Sequence, residues 1–233
     1  MESTAKHIQL DSLSTFWEGN EMTDNSLATP HERFDAQVQR RSALALKHRV
    51  IDQERAQLDK ALDWAREDPA FERVAAMIVA ARRRFIMGAG KSFTYASLMA
   101  MDLSASIANV SLIDGTIVRP LDVLSDVRST DVMVAVSLAR YNRYTNDIAR
   151  LFSDAGGTLV LITDSPDAPL NRYAAERLIV STASASFANS PTAVALVIHI
   201  LVTLTGASAK GARRRIQERD RLSAALNIYE GIE

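Results

Sequence analysis

Hydrophobic and polar positions change their period once along this chain, near residue 82. Before that point the spacing is helical: Leu44, Ile51, Leu58 and Ala65 recur every seven residues, Leu62 fills the same face, and charged residues occupy the rest. This predicts one long amphipathic helix, or two, over residues 31 to about 66. Asp68-Pro69 then supplies a cap and a proline at the first helical position, opening a second helix to about residue 81. Beyond it lie five short runs rich in β-branched or large apolar residues: Arg84-Phe85-Ile86-Met87, Val110-Ser111-Leu112-Ile113, Val132-Met133-Val134-Ala135-Val136, Thr158-Leu159-Val160-Leu161-Ile162 and Arg177-Leu178-Ile179-Val180.

Most intervals between these runs are long enough for a helix. Residues 92–106 form one rich in Ala and Met, and residues 141–155 another, ended by Gly156-Gly157. Between the fourth and fifth runs, Pro166 and Pro169 leave room for only a turn of helix. Ser190-Pro191 opens an apolar helix to about residue 204, and residues 209–229 give a final amphipathic helix. The alternation predicts an α/β fold: five parallel strands joined by right-handed crossovers, with both sheet faces covered. Residues 1–30 show no sustained period and read as a poorly ordered arm.

Composition narrows the function classes. The chain has 233 residues, 47% hydrophobic and 24% charged, enough to bury a substantial core. Its 27 basic and 28 acidic residues create no global field for nucleic acid or an anionic membrane. Cysteine is absent, which excludes disulfides and thiolate chemistry, and the four histidines are scattered outside any metal-ligand spacing. No metal or cofactor is therefore expected. No secretory signal is expected, nor any run near the roughly 20 apolar residues that span a bilayer. A cytoplasmic protein follows as the expectation.

Three turns, each directly after an apolar run, carry the candidate chemistry: Gly88-Ala89-Gly90-Lys91-Ser92, the stretch from Ser137 through Arg140, Tyr141, Asn142, Arg143 and Tyr144 to Thr145, and Thr163-Asp164-Ser165-Pro166. In an open parallel sheet such turns gather at the carboxyl edge, beside helix N-termini that attract anions. The first is not a nucleotide P-loop, because the position five residues before Gly90 is Phe85. A dinucleotide fingerprint needs a third glycine where Phe93 stands, although Asp114 sits at a suitable distance for a ribose contact. A phosphate-cradling turn remains, alongside the alternative that its glycines serve only the tight turn. In the second stretch the arginines can grip a phosphate and tyrosine can stack on a sugar; alternatively Arg143 and Arg150 are an exposed helix face. Ser184, Ser186 and Ser190 offer donors or caps. His199, inside an apolar helix, reads as a satisfied buried histidine, and Arg213, Arg214, Arg215 and Arg219 as a solvated face.

With these turns placed, the region from about residue 71 to 204 resembles the SIS (sugar isomerase) domain, and within that group the ligand-sensing domain of RpiR-type transcriptional regulators. The first turn, Ser137-Leu138-Ala139-Arg140-Tyr141 with Thr145, and Leu161-Ile162-Thr163-Asp164-Ser165-Pro166-Asp167-Ala168-Pro169-Leu170 carry the resemblance. It implies a three-layer α/β/α flavodoxin-like fold with a five-stranded parallel sheet over residues 69–206, a helical extension at 31–68 and a C-terminal helix at 207–233. It also implies ligand-loop roles for Gly90, Ser92, Ser137 and Thr145, with Ser186 a weaker match. Departures are marked: Ala139 and Arg140 replace the usual serine and glycine, and Tyr144 replaces a common glutamate. The family's helix-turn-helix module would have only the polar arm to Pro30 available to it, so direct nucleic-acid binding is not expected.

The candidate ligand-binding set is Gly88, Gly90, Lys91, Ser92, Asp114, Ser137, Arg140, Tyr141, Arg143, Thr145 and Ser186, with no catalytic residue assigned. The expected partner is a phosphorylated sugar or related small anion, bound by an RpiR-like sensor that assembles as a homo-oligomer, a dimer or tetramer. Two alternatives stand beside it. One is a phosphosugar aldose–ketose isomerase, for which Asp114, Asp164 and Asp167 are the available carboxylates. The other is an interaction protein with a vestigial pocket.

Overall fold

The computed structural model describes residues 28–38 and 42–229. Residues 1–27 of the expected N-terminal arm lie outside that description. The five apolar runs are strands β1 (Arg83–Met87), β2 (Val110–Ile113), β3 (Asp131–Val136), β4 (Thr158–Thr163) and β5 (Glu176–Ile179). They pair in parallel throughout, in the order β2-β1-β3-β4-β5. Eight helices are described: α1 (Pro30–Gln37), α2 (Ala43–Glu67), α3 (Ala70–Ala80), α4 (Lys91–Ser106), α5 (Pro120–Leu124), α6 (Arg143–Asp154), α7 (Thr192–Ser208) and α8 (Ala212–Ala225).

The inner strands β1, β3 and β4 are buried almost throughout because both of their faces are covered, whereas the edge strands β2 and β5 are only partly buried. Ile86, Val132, Val134, Val136, Val160 and Ile162 point to the side packed by α3, α4 and α7, where Phe71, Met99 and Val197 are buried. Their neighbours Phe85, Met87, Met133, Ala135, Leu159 and Leu161 point to the other side, against Ile148 and Phe152 of α6. Phe85 and Phe152 meet edge to face at 5.9 Å. The chain runs from β1 outward to β2 and returns on the opposite side as β3, so the order reverses between β1 and β3.

Two arginines at the start of β1 close the amino edge of the sheet. Arg84 is buried and donates to three carbonyls, Ile78 at 2.6 Å, Val79 at 2.8 Å and Ala108 at 3.0 Å, which satisfies the end of α3. Arg83 grips the Asp131 carboxylate in a fork, at 3.0 Å through Nε and 2.5 Å through Nη2. Asp131 also accepts the Arg128 N–H at 2.9 Å.

Several elements differ from the sequence expectation. The helical stretch before residue 66 is two helices, one of the two arrangements expected, but α2 turns most of its heptad stripe outward: Leu44, Ile51 and Leu62 are exposed. Helix α2 reaches the domain from its middle onward, where Glu54 accepts from the Ser190 and Thr192 hydroxyls, Gln57 and Ala61 are buried and Trp64 packs on Phe71 at 5.0 Å. The short α5 carries one buried residue, Val123, too few anchors to leave a period in the sequence. Helix α3 starts one residue later than expected; Pro69 takes the cap position and Asp68 accepts from the Ala70 N–H at 2.9 Å. His199 is exposed rather than buried, since α7 buries Val197, Ile198 and Leu201 and turns the histidine outward. Arg215 leaves the solvated face and donates to the Ser104 carbonyl at 2.9 Å, tying α8 to α4. Among the described residues no single helix is long and apolar enough to cross a membrane.

Burial by itself would raise the Asp131 pKa, but the bonds and charge of Arg83 and the Arg128 N–H outweigh it and hold the carboxyl below its usual range. A carboxylate lowered in this way contributes stability that is complete above the usual aspartate range and is lost as pH falls through the native value. Asp131→Ala is therefore expected to cost about 2–3 kcal/mol at neutral pH, somewhat under a fully enclosed pair because Arg83 reaches water. Urea melts across pH check this, and the gap between variant and wild type should narrow below about pH 4.

Candidate functional site

The reversal between β1 and β3 sets the turns that follow these strands side by side at the carboxyl edge, where open α/β sheets take their ligands. The first turn is shaped by its glycines. A Cβ on Gly88 would lie 2.5 Å from the Ser92 carbonyl oxygen, and Gly90 has φ of +61°. The turn thus accounts for both glycines by itself, and it delivers an α4 N-terminus without a side-chain cap. Lys91 and Ser92 are the first two residues of α4. Lys91 reaches across to the loop after β5, where its Nζ donates to the Asn189 carbonyl at 2.5 Å. Burial and then the nearby Arg33 charge push the Lys91 pKa below the usual lysine value, against a smaller opposing pull from Glu54.

The turn after β3 is held from the next strand. Asp164, at the end of β4, accepts the Ala139 N–H through both oxygens at 2.8 and 3.0 Å, the Thr182 hydroxyl at 3.0 Å and the Tyr141 hydroxyl at 3.3 Å. One carboxylate therefore joins the turn after β3, the turn after β4 and the loop after β5. Burial raises its pKa, and the bonds it accepts recover part of that shift. Arg140 follows with φ of +66°, a left-handed conformation unusual for a side chain with a Cβ. Asn142 is the N-cap of α6, accepting from the Tyr144 and Thr145 N–H groups at 2.9 and 3.4 Å.

The candidate residues fall into three groups. Arg140, Tyr141 and Arg143 line a cavity of about 510 Å³ on the α6 side, with Arg150, Arg172 and Tyr173. Arg143 is almost fully exposed and pairs with Asp147 at 3.4 Å. Lys91 and Ser186 belong instead with the loop from Ser184 to Ser190. There Ser184 and Ser186 accept backbone bonds from Ser186 and Ala188 at 3.1 and 3.3 Å, so these hydroxyls shape the loop. Ser137 and Thr145 are buried, and Ser137 donates to the Asn146 side chain at 2.7 Å. Thr145 Oγ1 is buried without a hydrogen-bond partner. Asp114 stands apart: its Oδ1 accepts the N–H groups of Thr116 and Ile117 at 2.8 Å and Val118 at 3.0 Å, which lowers its pKa. The Tyr144 hydroxyl approaches that turn, 3.3 Å from where a Gly115 Cβ would stand.

The SIS domain model matches residues 77–205. This chain belongs to the SIS-domain family. Solved structures with the SIS fold accompany it. The sugar isomerase domain of an RpiR transcription factor from Sphaerobacter thermophilus is 24% identical, with a TM-score of 0.69 over 76% of this chain and 98% of that one. Vibrio vulnificus NanR, solved with ManNAc-6P, is 17% identical, with a TM-score of 0.66 over 84% of this chain and 74% of that one. The c3406 protein of E. coli CFT073, solved with A5P, is 16% identical, with a TM-score of 0.57 over 77% of this chain and all of that one. At these identities the likeness is one of fold. No curated protein matches the chain by sequence.

This SIS domain also draws on residues that sequence reasoning did not single out. Asn142 had a legible signal, an asparagine directly before a helical period. Asn189, Arg33 and Glu54 had none. Arg33 meets Asn189 across 156 positions, and Glu54 meets the hydroxyls of Ser190 and Thr192, 136 and 138 positions away, at 2.6 and 2.7 Å. Glu54 places its charge at the α7 N-terminus, where it is favourable.

Asp164→Ala strands the Ala139 N–H and is expected to cost about 1–3 kcal/mol, whereas Asp164→Asn keeps an acceptor and should stay within about 1 kcal/mol of wild type. The pH dependence has the opposite sign to that of Asp131. Because the native pKa is raised, this group adds stability as pH falls from the raised value through the usual aspartate range, and Asp164→Asn should lack that gain. Chemical denaturation of both variants at several pH values measures it.

Proposed function

We propose that this chain is a phosphosugar-binding sensor of the RpiR-like type. The observation that carries the reading is the convergence of the β1 and β3 turns at the switch point, with Lys91 opening an uncapped helix after the first and Arg140 standing in the second. The names of two neighbours in fold support it, since one was solved with ManNAc-6P and another with A5P. Arg140 takes a left-handed backbone at the place where the family resemblance has a glycine. In this reading the Arg140 guanidinium compensates for the serine and glycine replaced at Ala139 and Arg140.

The isomerase reading needs a free base. Of the three available carboxylates, Asp114 is committed to three backbone N–H groups, Asp164 to one N–H and two hydroxyls, and Asp167 is exposed outside the cavity lining. Asp164 is the carboxylate with a raised pKa, so it is the residue a turnover assay on pentose, hexose and amino-sugar phosphates would implicate. Sustained interconversion abolished by Asp164→Asn would replace the sensor with an enzyme.

The sensor reading predicts thermal stabilisation by at least one phosphosugar, growing with the logarithm of its concentration. Arg140→Gly is the informative variant, because glycine relieves the left-handed strain and leaves the melting temperature equal or higher. It should nevertheless weaken binding about tenfold or more. No shift with any member of a panel that includes ManNAc-6P and A5P would refute the reading. A homo-oligomer is part of the same proposal, and the outward stripe of Leu44, Ile51 and Leu62 on α2 supports it. Sedimentation should show an oligomer for the wild type and a smaller species for Ile51→Glu.

A further inference from the structure

Helix α1 lies outside the matched SIS region and rests on the loop after β5. Its own fold is local: Thr29 and Glu32 form a reciprocal capping box and Pro30 occupies the first turn. Eight residues are too few to hold a helix in water by themselves, so the position of α1 depends on what it touches. Those contacts fall on one loop. Arg33 Nη1 donates to the Asn189 side-chain oxygen, and the Phe34 ring meets Phe187 edge to face at 6.2 Å. With its amide turned to place nitrogen toward the loop, Gln37 donates to the Ser184 and Ala185 carbonyls at 2.9 Å.

Arg33 is 8% exposed, and its Nε is buried without a partner. The acceptor it does have is neutral. Lys91 reaches the same residue from the other side, donating to the Asn189 backbone carbonyl. Among the described residues neither cation forms an ion pair with a carboxylate; Glu54 is the acidic group near Lys91, and its Oε2 is engaged by the Ser190 and Thr192 hydroxyls. Arg140 adds a third positive charge close enough to act on Arg33, and it also acts weakly on the exposed Glu32 of α1. Burial and then Arg140 lower the Arg33 pKa, as burial and then Arg33 lower that of Lys91. Holding like charges together on neutral acceptors is unfavourable unless an anion joins them.

We propose that Arg33 is a ligand for the phosphate group at this site, acting with Lys91 through their shared partner Asn189, so that anion binding fastens α1 onto the carboxyl edge of the sheet. The proposal rests on the phosphosugar reading and adds to it a ligand from outside the α/β domain. It also names the moving part of the sensor. The ligand favours the docked state of α1 by the interactions it makes with Arg33, and only such differential affinity can shift a conformational equilibrium.

The test combines hydrogen exchange with titration, using inorganic phosphate and the tightest phosphosugar of the panel on the full chain. In the wild type, saturating probe should slow exchange of the α1 amides about fivefold or more. Arg33→Ala should weaken both probes about ten- to a hundredfold, the loss of one charge-assisted contact, with the melting temperature of the α/β domain retained. Phe34→Ala leaves every cation in place but loosens α1, and should weaken both probes about threefold to tenfold. If Arg33→Ala binds phosphosugar within twofold of wild type, or if wild-type binding leaves α1 exchange unchanged, the strap is overturned and the phosphosugar reading stands. A wild-type chain that binds no phosphosugar overturns both.

Discussion

The Asp164 carboxylate sits where three connections meet, and the carboxyl edge of the sheet takes its shape from it. Parallel strands end with unpaired backbone groups, and the turns that follow β3, β4 and β5 cannot satisfy one another directly because they leave the sheet in different directions. Asp164 supplies two acceptor oxygens to the Ala139 N–H and to the hydroxyls of Tyr141 and Thr182. Thr163 assists from the preceding position, its hydroxyl donating to the Ser137 carbonyl at 2.7 Å. Burying a carboxylate costs free energy, as its raised pKa records. What the fold gains is a fixed relation between the turn that carries Arg140 and the loop that carries Asn189.

That fixed relation explains how the β3 turn keeps its form while its chemistry changes. Arg140 occupies a left-handed backbone conformation that costs a non-glycine residue roughly 1 kcal/mol or more. It is sustained from both sides, by Asp164 holding Ala139 and by Asn142 capping α6. Such strain persists only where neighbours over-determine it. Small hydroxyl donors at this turn are withdrawn from the surface: Ser137 is committed to Asn146 and Thr145 is buried. Long cationic side chains stand around them, on a cavity lined by Arg140, Arg143, Arg150 and Arg172.

The architecture was legible in the sequence because its inner strands β1, β3 and β4 are buried on both faces, which leaves short β-branched apolar runs separated by turn signals. The first turn was legible for the same local reason: Gly88 and Gly90 are demanded by a close approach and a positive φ. Legibility ended where a residue acts through a partner far along the chain. Nothing near Arg33 or Glu54 announces Asn189, Ser190 or Thr192, since the pairing exists only after the sheet has brought them together. The α2 stripe marked a face that wants covering without saying by what, and Leu44 and Ile51 remain exposed on this chain. In α7 the run of apolar residues concealed which side His199 takes.

In the proposed sensor, the cations at the carboxyl edge are the groups through which an anion acts. Arg33 arrives on α1, Lys91 on the first turn and Arg140 on the β3 turn, and each belongs to a different covalent segment. Their mutual repulsion is therefore also a force between segments. An anion that neutralises it lowers the free energy of the arrangement in which all three are close, and that arrangement has α1 docked. Linkage makes the effect reciprocal: whatever free energy the anion contributes to docking α1, docked α1 returns to anion affinity. The α/β core can stay still while this happens, because its turns are already held by Asp164. In the proposed strap the short helix, held on the loop after β5 by Arg33, Phe34 and Gln37, is the element that carries the change outward.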